Sequence, residues 1–383
     1  MSNNPGILLA ALRDPHRLVS MTCDEAGTLL RLAHQTRVMA KLAQRAQDAG
    51  IDDQLNAQVR DHLIAARVVA AQHRRIVRWE ADRILHAMQG CDFPIVFLKG
   101  AAYVLADLPA GRGRLISDVD IMVPKVHLET AEQRLKDAGW EAFKLDEYDQ
   151  RYYRQWMHEL PPMAHRIRRN VLDLHHTILP ETGRLHPDAA KLLAASRLIP
   201  SLSHPSAKLL APADMILHSA AHLFQDGELA GGLRDLLDLD DLLRHFGAHE
   251  PDFWNTLVSR GIEMDLRRPL FYALRFSHHM LETPVPQDVL NDAGKAGKPL
   301  WPTTPMMDFF VSRAFMPHSA EGNGGRRFGA GLSRWMLYVR SHWLRMPPLM
   351  LLQHLTRKAF RRIKKEEEPR TTAQKNIEAK RVG

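Results

Sequence analysis

The stretch Leu98-Lys99-Gly100-Ala101-Ala102, followed shortly by Arg114-Leu115-Ile116-Ser117-Asp118-Val119-Asp120-Ile121-Met122-Val123, decides how the chain is read. Ile95-Val96-Phe97-Leu98 is an apolar run of strand length. Lys99-Gly100-Ala101 breaks it, and small residues there let the next backbone segment approach closely. Residues 101–107 read as a short helix, and Leu108–Arg114, with its proline and two glycines, as a loop. A second strand, 115–123, then alternates. Val119, Ile121 and Val123 take one face and Asp118 and Asp120 the other, because strand side chains repeat every two residues. Two carboxylates side by side repel each other, so one pKa is expected to rise. A divalent cation relieves that repulsion, and hard oxygen ligands suit Mg²⁺ or Mn²⁺.

Outward from this centre the pattern turns helical. Residues 24–48 and 53–89 read as two long helices, the second with a stripe of Val59, Leu63, Ala66, Val69, Ile76 and Ile84. Residues 127–138 read as a helix capped by Gly139. Residues 171–178 alternate as another strand, with Asp173, His175 and Thr177 on one face. Helices are expected over 212–224 and from 231 to at least 243, and a Gly- and Pro-rich loop over 291–305. Residues 320–331 read as mobile, and the charged stretch from Lys364 as disordered. The organisation is an N-terminal helical region (1–90), a core (91–185), a helical substrate-side region (186–300) and a basic amphipathic C-terminal region with a disordered tail (301–383).

L-K-G-A-A followed by R-L-I-S-D-V-D-I-M-V resembles the DNA polymerase β-type nucleotidyltransferase superfamily, whose signature is a small-residue turn, a helix and Asp-x-Asp on a strand. Within it the wording is similar to a bacterial nucleotidyltransferase branch with L-K-G-x-A, then R-x-x-x-D-I-D-L-L-V, then an acidic residue-Leu-His on a later strand. The resemblance implies an α+β fold, a small mixed β-sheet nucleotidyltransferase core flanked by N- and C-terminal helical regions. It implies three catalytic, metal-binding carboxylates: Asp118, Asp120 and a third from a neighbouring strand. Asp173 fits that place, because Leu172 and Leu174 flank it as a buried face would; Glu159 is the substitute. It implies nucleotide binding around Gly100, Ala101 and Arg114; beside them Lys99 reads as a phosphate contact or an exposed strand-end lysine, and Ser117 as a phosphate contact or a strand cap. Ala101 stands where the superfamily pattern has glycine or serine, so a serine hydroxyl toward phosphate is absent. A guanidinium at Arg114 suits a pair of phosphate oxygens, and Lys99 offers a point charge. The expected reaction is transfer of a nucleoside monophosphate from an NTP, ATP foremost, to an unknown acceptor, with release of pyrophosphate.

His175 can orient Asp173 or act as a base near neutral pH. His218 and His222, at i and i+4, share a helix face and are expected on the substrate side. With Asp238 they offer a rival metal site for a hydrolase. A second rival is a non-catalytic protein on the same fold, binding nucleotide or a partner as a sensor or antitoxin-like subunit.

Composition narrows these readings. The chain has 383 residues, 45% of them hydrophobic, enough for a sizeable core. Cys23 and Cys91 are its only cysteines, which excludes a disulfide framework or a cysteine zinc site. No signal-peptide pattern and no run of membrane-spanning length is evident, so a cytoplasmic protein is expected. The net charge of +8 favours phosphate-bearing partners, but much of it lies near the C-terminus. The basic, aromatic segment 332–363 is suited to an anionic membrane surface or nucleic acid.

Overall fold

A computed structural model describes residues 6–143, 147–199, 202, 204–225, 231–315 and 330–346. Four helices open it: α1 (Gly6–Arg13), α2 (Cys23–Gln35), α3 (Met39–Asp48) and α4 (Ala57–Ala87). Thr22 and Glu25 cap α2 reciprocally, each side chain meeting the other's backbone N–H. The single helix expected over 24–48 is broken at Thr36-Arg37-Val38. The Thr36 hydroxyl bonds back to the Leu32 carbonyl at 2.7 Å, and Arg37 adopts a φ of 59°. Asn56 caps α4, its side chain accepting from the Gln58 N–H. That helix is about 46 Å long, and its buried positions are Val59, Leu63, Ala70, Val77, Glu80, Ala81, Ile84 and Leu85. Val69 and Ile76, expected in the buried stripe, are exposed instead.

The core alternates strands and helices: β1 (Ile95–Phe97), α5 (Lys99–Leu105), β2 (Asp118–Met122), α6 (Leu128–Asp137), β3 (Trp140–Ala142), α7 (Glu147–Trp156), β4 (Met163–His165), β5 (Val171–His175), α8 (Ala189–Ala195), β6 (Arg197–Leu198) and β7 (Ala207–Leu209). Seven strands form one sheet in the order β3-β4-β5-β2-β1-β7-β6. The fold is mixed: β2 runs parallel to β5 and β1 parallel to β7, while β1 with β2, β3 with β4, β4 with β5 and β6 with β7 are antiparallel. A helical region follows: α9 (Pro212–Gln225), α10 (Gly232–His249), α11 (Phe253–Glu263), α12 (Arg267–Leu281), α13 (Gln287–Gly297), α14 (Thr303–Ala314) and α15 (Ala330–Arg345).

The loop expected over 291–305 is largely helix. Its glycines mislead because Gly297 is a point of close approach, set against the Arg267 carbonyl and Phe271 where a Cβ would not fit. The glycine-rich segment 316–329 and everything after 346 lie outside the described residues, including the expected tail and most of the basic segment. The described part of that segment, α15, turns Leu332, Trp335, Val339 and Trp343 outward and buries Ser333 and Ser341. Among the described residues, no helix is long and apolar enough to cross a membrane.

Two buried ionic networks tie distant parts of the chain together. Lys41 on α3 is 3% exposed and bonds Asp241 of α10 at 2.8 Å and the Ala110 carbonyl at 2.9 Å. Arg45 reaches Asp240 at 2.6 Å and Asp241 at 3.0 Å. On the other side Glu80 of α4, with a side chain 1% exposed, takes two bonds from Arg168, at 2.7 and 2.8 Å, and one from Asn170. The turn between β4 and β5 is thereby tied to α4, which fixes where β5 begins. Arg168→Met should destabilise the fold by about 3–5 kcal/mol, since it leaves a buried carboxylate short of its counter-charge. Urea denaturation measures this, and adding Glu80→Gln to the same chain should recover part of the loss.

Candidate functional site

The parallel pairing of β2 and β5 builds the site. It sets Asp120 opposite Asp173 and Met122 opposite His175. Side-chain alternation puts Asp118 on the same face as Asp120, and His175 on the same face as Asp173. The other face carries Val119, Ile121, Leu172 and Leu174, all buried. Beside β2, β1 ends and α5 begins. Lys99, at that junction, has a φ of 46°, and its ammonium lies 2.7 Å from Asp120 Oδ1. The His175 ring reaches the same oxygen at 3.0 Å through Nε2.

The electrostatics separate the two central carboxylates. Burial alone would raise the Asp120 carboxyl, but the Lys99 ammonium and the His175 ring outweigh it and hold the group well below the ordinary carboxylate range. Asp173 has no such compensation. Burial, then the charges of Asp120 and Asp118, push it up to about 7, and Lys99 offsets only part. Its Oδ1 is buried without a hydrogen-bond partner. The repulsion expected between Asp118 and Asp120 is therefore borne by Asp173. Asp118 is half-buried and accepts a bond from the Ser117 hydroxyl at 3.1 Å. The three carboxylates share one face but are not drawn into a tight cluster, because Asp118 turns to Ser117 and Asp120 to Lys99 and His175.

The remaining expected residues sit around this face. Gly100 opens α5 under Arg114: a Cβ there would lie 2.9 Å from Arg114 Nε and 3.1 Å from Ile116. Ala101 is buried. No side chain caps this end of α5. Arg114, its side chain 11% exposed, is ion-paired with Asp238, with Asp235 at 3.7 Å. Its guanidinium is already matched by carboxylates of α10, and burial together with the charge of Arg234 lowers its pKa. His218 on α9 is buried, and its pKa is pushed well below the usual histidine range, first by burial and then by the charges of Lys99, His222 and His175. The charges of His218 and His222 on α9 bear on one another, and that of His222 on His175. Asp238, the third member of the rival metal site, is held by Arg114 and lies 3.6 Å from Lys41. Among the described residues the three do not form a ligand cluster.

One neighbour escaped the sequence reading. His158 and Glu159 lie in the segment that bridges to β5, with Glu159 opposite His175. The adjacent His-Glu pair just before Pro161-Pro162 was the available signal. Glu159 Oε2 lies 3.3 Å from His175 Nε2, so the substitute carboxylate approaches the histidine, with Asp173 holding the register position opposite Asp120.

The raised Asp173 carboxyl has a measurable consequence. The folded state binds its proton more tightly than the unfolded chain, where aspartate titrates near about 4. Between that value and about 7 the folded state carries the extra proton, so this group's contribution makes stability fall as pH rises. Asp173→Asn removes the dependence. In metal-free buffer its melting temperature should exceed that of the unsubstituted protein above pH 7 and the gap should close toward pH 4. A gap independent of pH would remove Asp173 from this role.

No curated protein matches the chain. A family model described as "Uncharacterised nucleotidyltransferase" matches residues 22–282, from the start of α2 to the end of α12 and including all seven strands. With more than half its length so matched, and with Asp118, Asp120 and Asp173 on one face beside the Gly100 turn, the chain belongs to this nucleotidyltransferase family.

Proposed function

We propose that the protein is a metal-dependent nucleotidyltransferase that moves a nucleoside monophosphate from an NTP, ATP foremost, to an acceptor carrying a hydroxyl or phosphate. The observation that carries this reading is the register of Asp120 with Asp173, with Asp118 one alternation earlier and an Asp173 oxygen buried without a partner. An all-oxygen donor set suits Mg²⁺ or Mn²⁺, and the orphaned oxygen with its raised carboxyl is what a face short of one cation presents. Asp118, Asp120 and Asp173 would hold the ion, which when bound supplies charge stabilisation to the phosphates.

The chain's own residues do the rest. The Gly100 turn lets the Arg114 and Ile116 side chains close over the start of α5. Lys99 supplies a movable positive charge, released from Asp120 once that carboxylate has another partner. Ser117 orients Asp118. Arg114, ion-paired with Asp238, packs over Gly100 and contributes its field to the triphosphate. An acceptor oxygen attacks the α-phosphorus; the bond to the bridging oxygen breaks and pyrophosphate leaves. Asp173, as the carboxylate beside the acceptor, accepts the acceptor's proton. His175 orients Asp120, and His218 and His222 on α9 flank the acceptor side. The described part of the C-terminal segment, with Trp335 and Trp343 exposed, supports a surface contact outside this cleft.

The non-catalytic reading is favoured by one observation: the Lys99 ammonium already pairs with Asp120, as a metal substitute would. Incubation with each labelled NTP and Mg²⁺ or Mn²⁺ in cell lysate separates the two. Transfer predicts a labelled acceptor with the unsubstituted protein, reduced about 10²–10³-fold by Asp118→Asn or Asp173→Asn, while both variants keep their fold by circular dichroism. Nucleotide-induced thermal stabilisation with no label on any acceptor would replace this reading with the binding protein.

A further inference from the structure

Next to the carboxylate face lies a second cluster of different chemistry. His158, Glu159 and His175 each offer a ligand atom within 4.8 Å of the others. Backbone pairing pre-arranges them. Glu159 bridges to His175 across antiparallel chain, the Leu160 N–H donates to the Leu174 carbonyl, and the His176 N–H donates to the His158 carbonyl. The two rings lie 5.2 Å apart between centroids. Glu159 Oε2 is 3.3 Å from His175 Nε2 and 3.7 Å from His158 Nε2.

The cluster's polar atoms are incompletely satisfied. His158 is 8% exposed, its Nδ1 is buried without a partner, and its Nε2 is beyond hydrogen-bond distance of Glu159. His175 is fully buried; Asp120 holds its Nε2 and its Nδ1 has no partner. Buried polar atoms are rarely left this way. His175 Nε2 is the nitrogen that faces Glu159, at 3.3 Å, and it also meets Asp120 at 3.0 Å, so an ion held by the cluster takes the place of that hydrogen bond.

We propose that His158, Glu159 and His175 form a site for a divalent transition metal of the zinc type, distinct from the Mg²⁺-type site of Asp118, Asp120 and Asp173. Two imidazoles and a carboxylate suit zinc or cobalt and not magnesium, which prefers oxygen ligands and retained water. The Glu159 side chain is 16% exposed, so the set is open on one side, and three protein ligands leave a position for water or a substrate oxygen. An ion there would also tie the 158–160 segment to β5, next to Asp120.

The site stands independently of nucleotidyl transfer, and its test uses no nucleotide. The full chain, stripped with chelator, is titrated with Co²⁺ and followed by visible absorption and melting temperature. The expected result is one equivalent of cobalt giving the intense bands of a low-coordinate nitrogen- and oxygen-ligated ion, displaced by one equivalent of Zn²⁺ and not by excess Mg²⁺, with a rise in melting temperature. His158→Gln and Glu159→Gln should each lose the bands and the thermal gain, and Asp118→Asn should keep both. The two ligand variants are read separately, so misfolding of one leaves the other decisive. Absence of the bands and of thermal gain in the unsubstituted protein overturns the proposal. So does their persistence in a folded His158→Gln or Glu159→Gln variant, or loss in Asp118→Asn with retention in His158→Gln.

Discussion

The parallel pairing of β2 with β5 is the constraint on which the cleft depends. Parallel strands cannot be joined by a tight turn, so the chain travels from Met122 to Val171 through α6, β3, α7 and β4 before β5 can lie beside β2. A one-residue slip in that pairing would send Asp173 and His175 to the apolar face and Leu172 and Leu174 to the cleft. The register is held from both sides. Leu172 and Leu174 are fully buried beneath, and the Glu80–Arg168–Asn170 cluster anchors the turn before Val171 to α4. A buried ionic cluster on the longest helix thus bears on the relative position of two carboxylates elsewhere in the sheet.

Charges inside the protein divide into two kinds. In the Lys41–Asp241 and Glu80–Arg168 groups every ion has a partner in its own network, and the result is structural. On the face of β2 and β5 the balance is incomplete. Asp120 is matched by Lys99 and His175, and Asp173 is matched by nothing that bonds its buried oxygen. The fold sustains that deficit because the surrounding apolar packing over-determines the strand positions. Unbalanced charge of this kind concentrates where a protein meets its ligands.

Much of this was legible in the sequence because it rests on short-range rules. The Asp-x-Asp alternation, the glycine turn after Leu98 and the Leu172-Asp173-Leu174 pattern each report a local geometry. The resemblance that these motifs carry implied both the family and the mixed sheet. What was not legible depends on contacts between distant segments. Arg114 read as a free guanidinium, and only the packing of α10 brings Asp238 to it. Gly297 read as a loop residue, and only the approach of the Arg267 backbone explains it in a helix. His158 carries no periodic signal of its own, because its neighbours come from β5, some seventeen residues away, and from α9. Val69 and Ile76 read as buried because helical spacing does not say how far along a long helix the core extends.

The ammonium of Lys99 gives the cleft a form of ionic discrimination. Being tethered to the strand end at a strained φ, it is present at Asp120 at a fixed and high effective concentration, whatever the ionic composition of the solvent. A free monovalent cation arriving at this carboxylate brings no more charge than the tenant it must displace, and it loses hydration in doing so. A doubly charged ion gains from the exchange, and the displaced ammonium stays within reach of any anion that follows. Discrimination of this kind needs no selective cavity, because the chain carries the counter-ion with it.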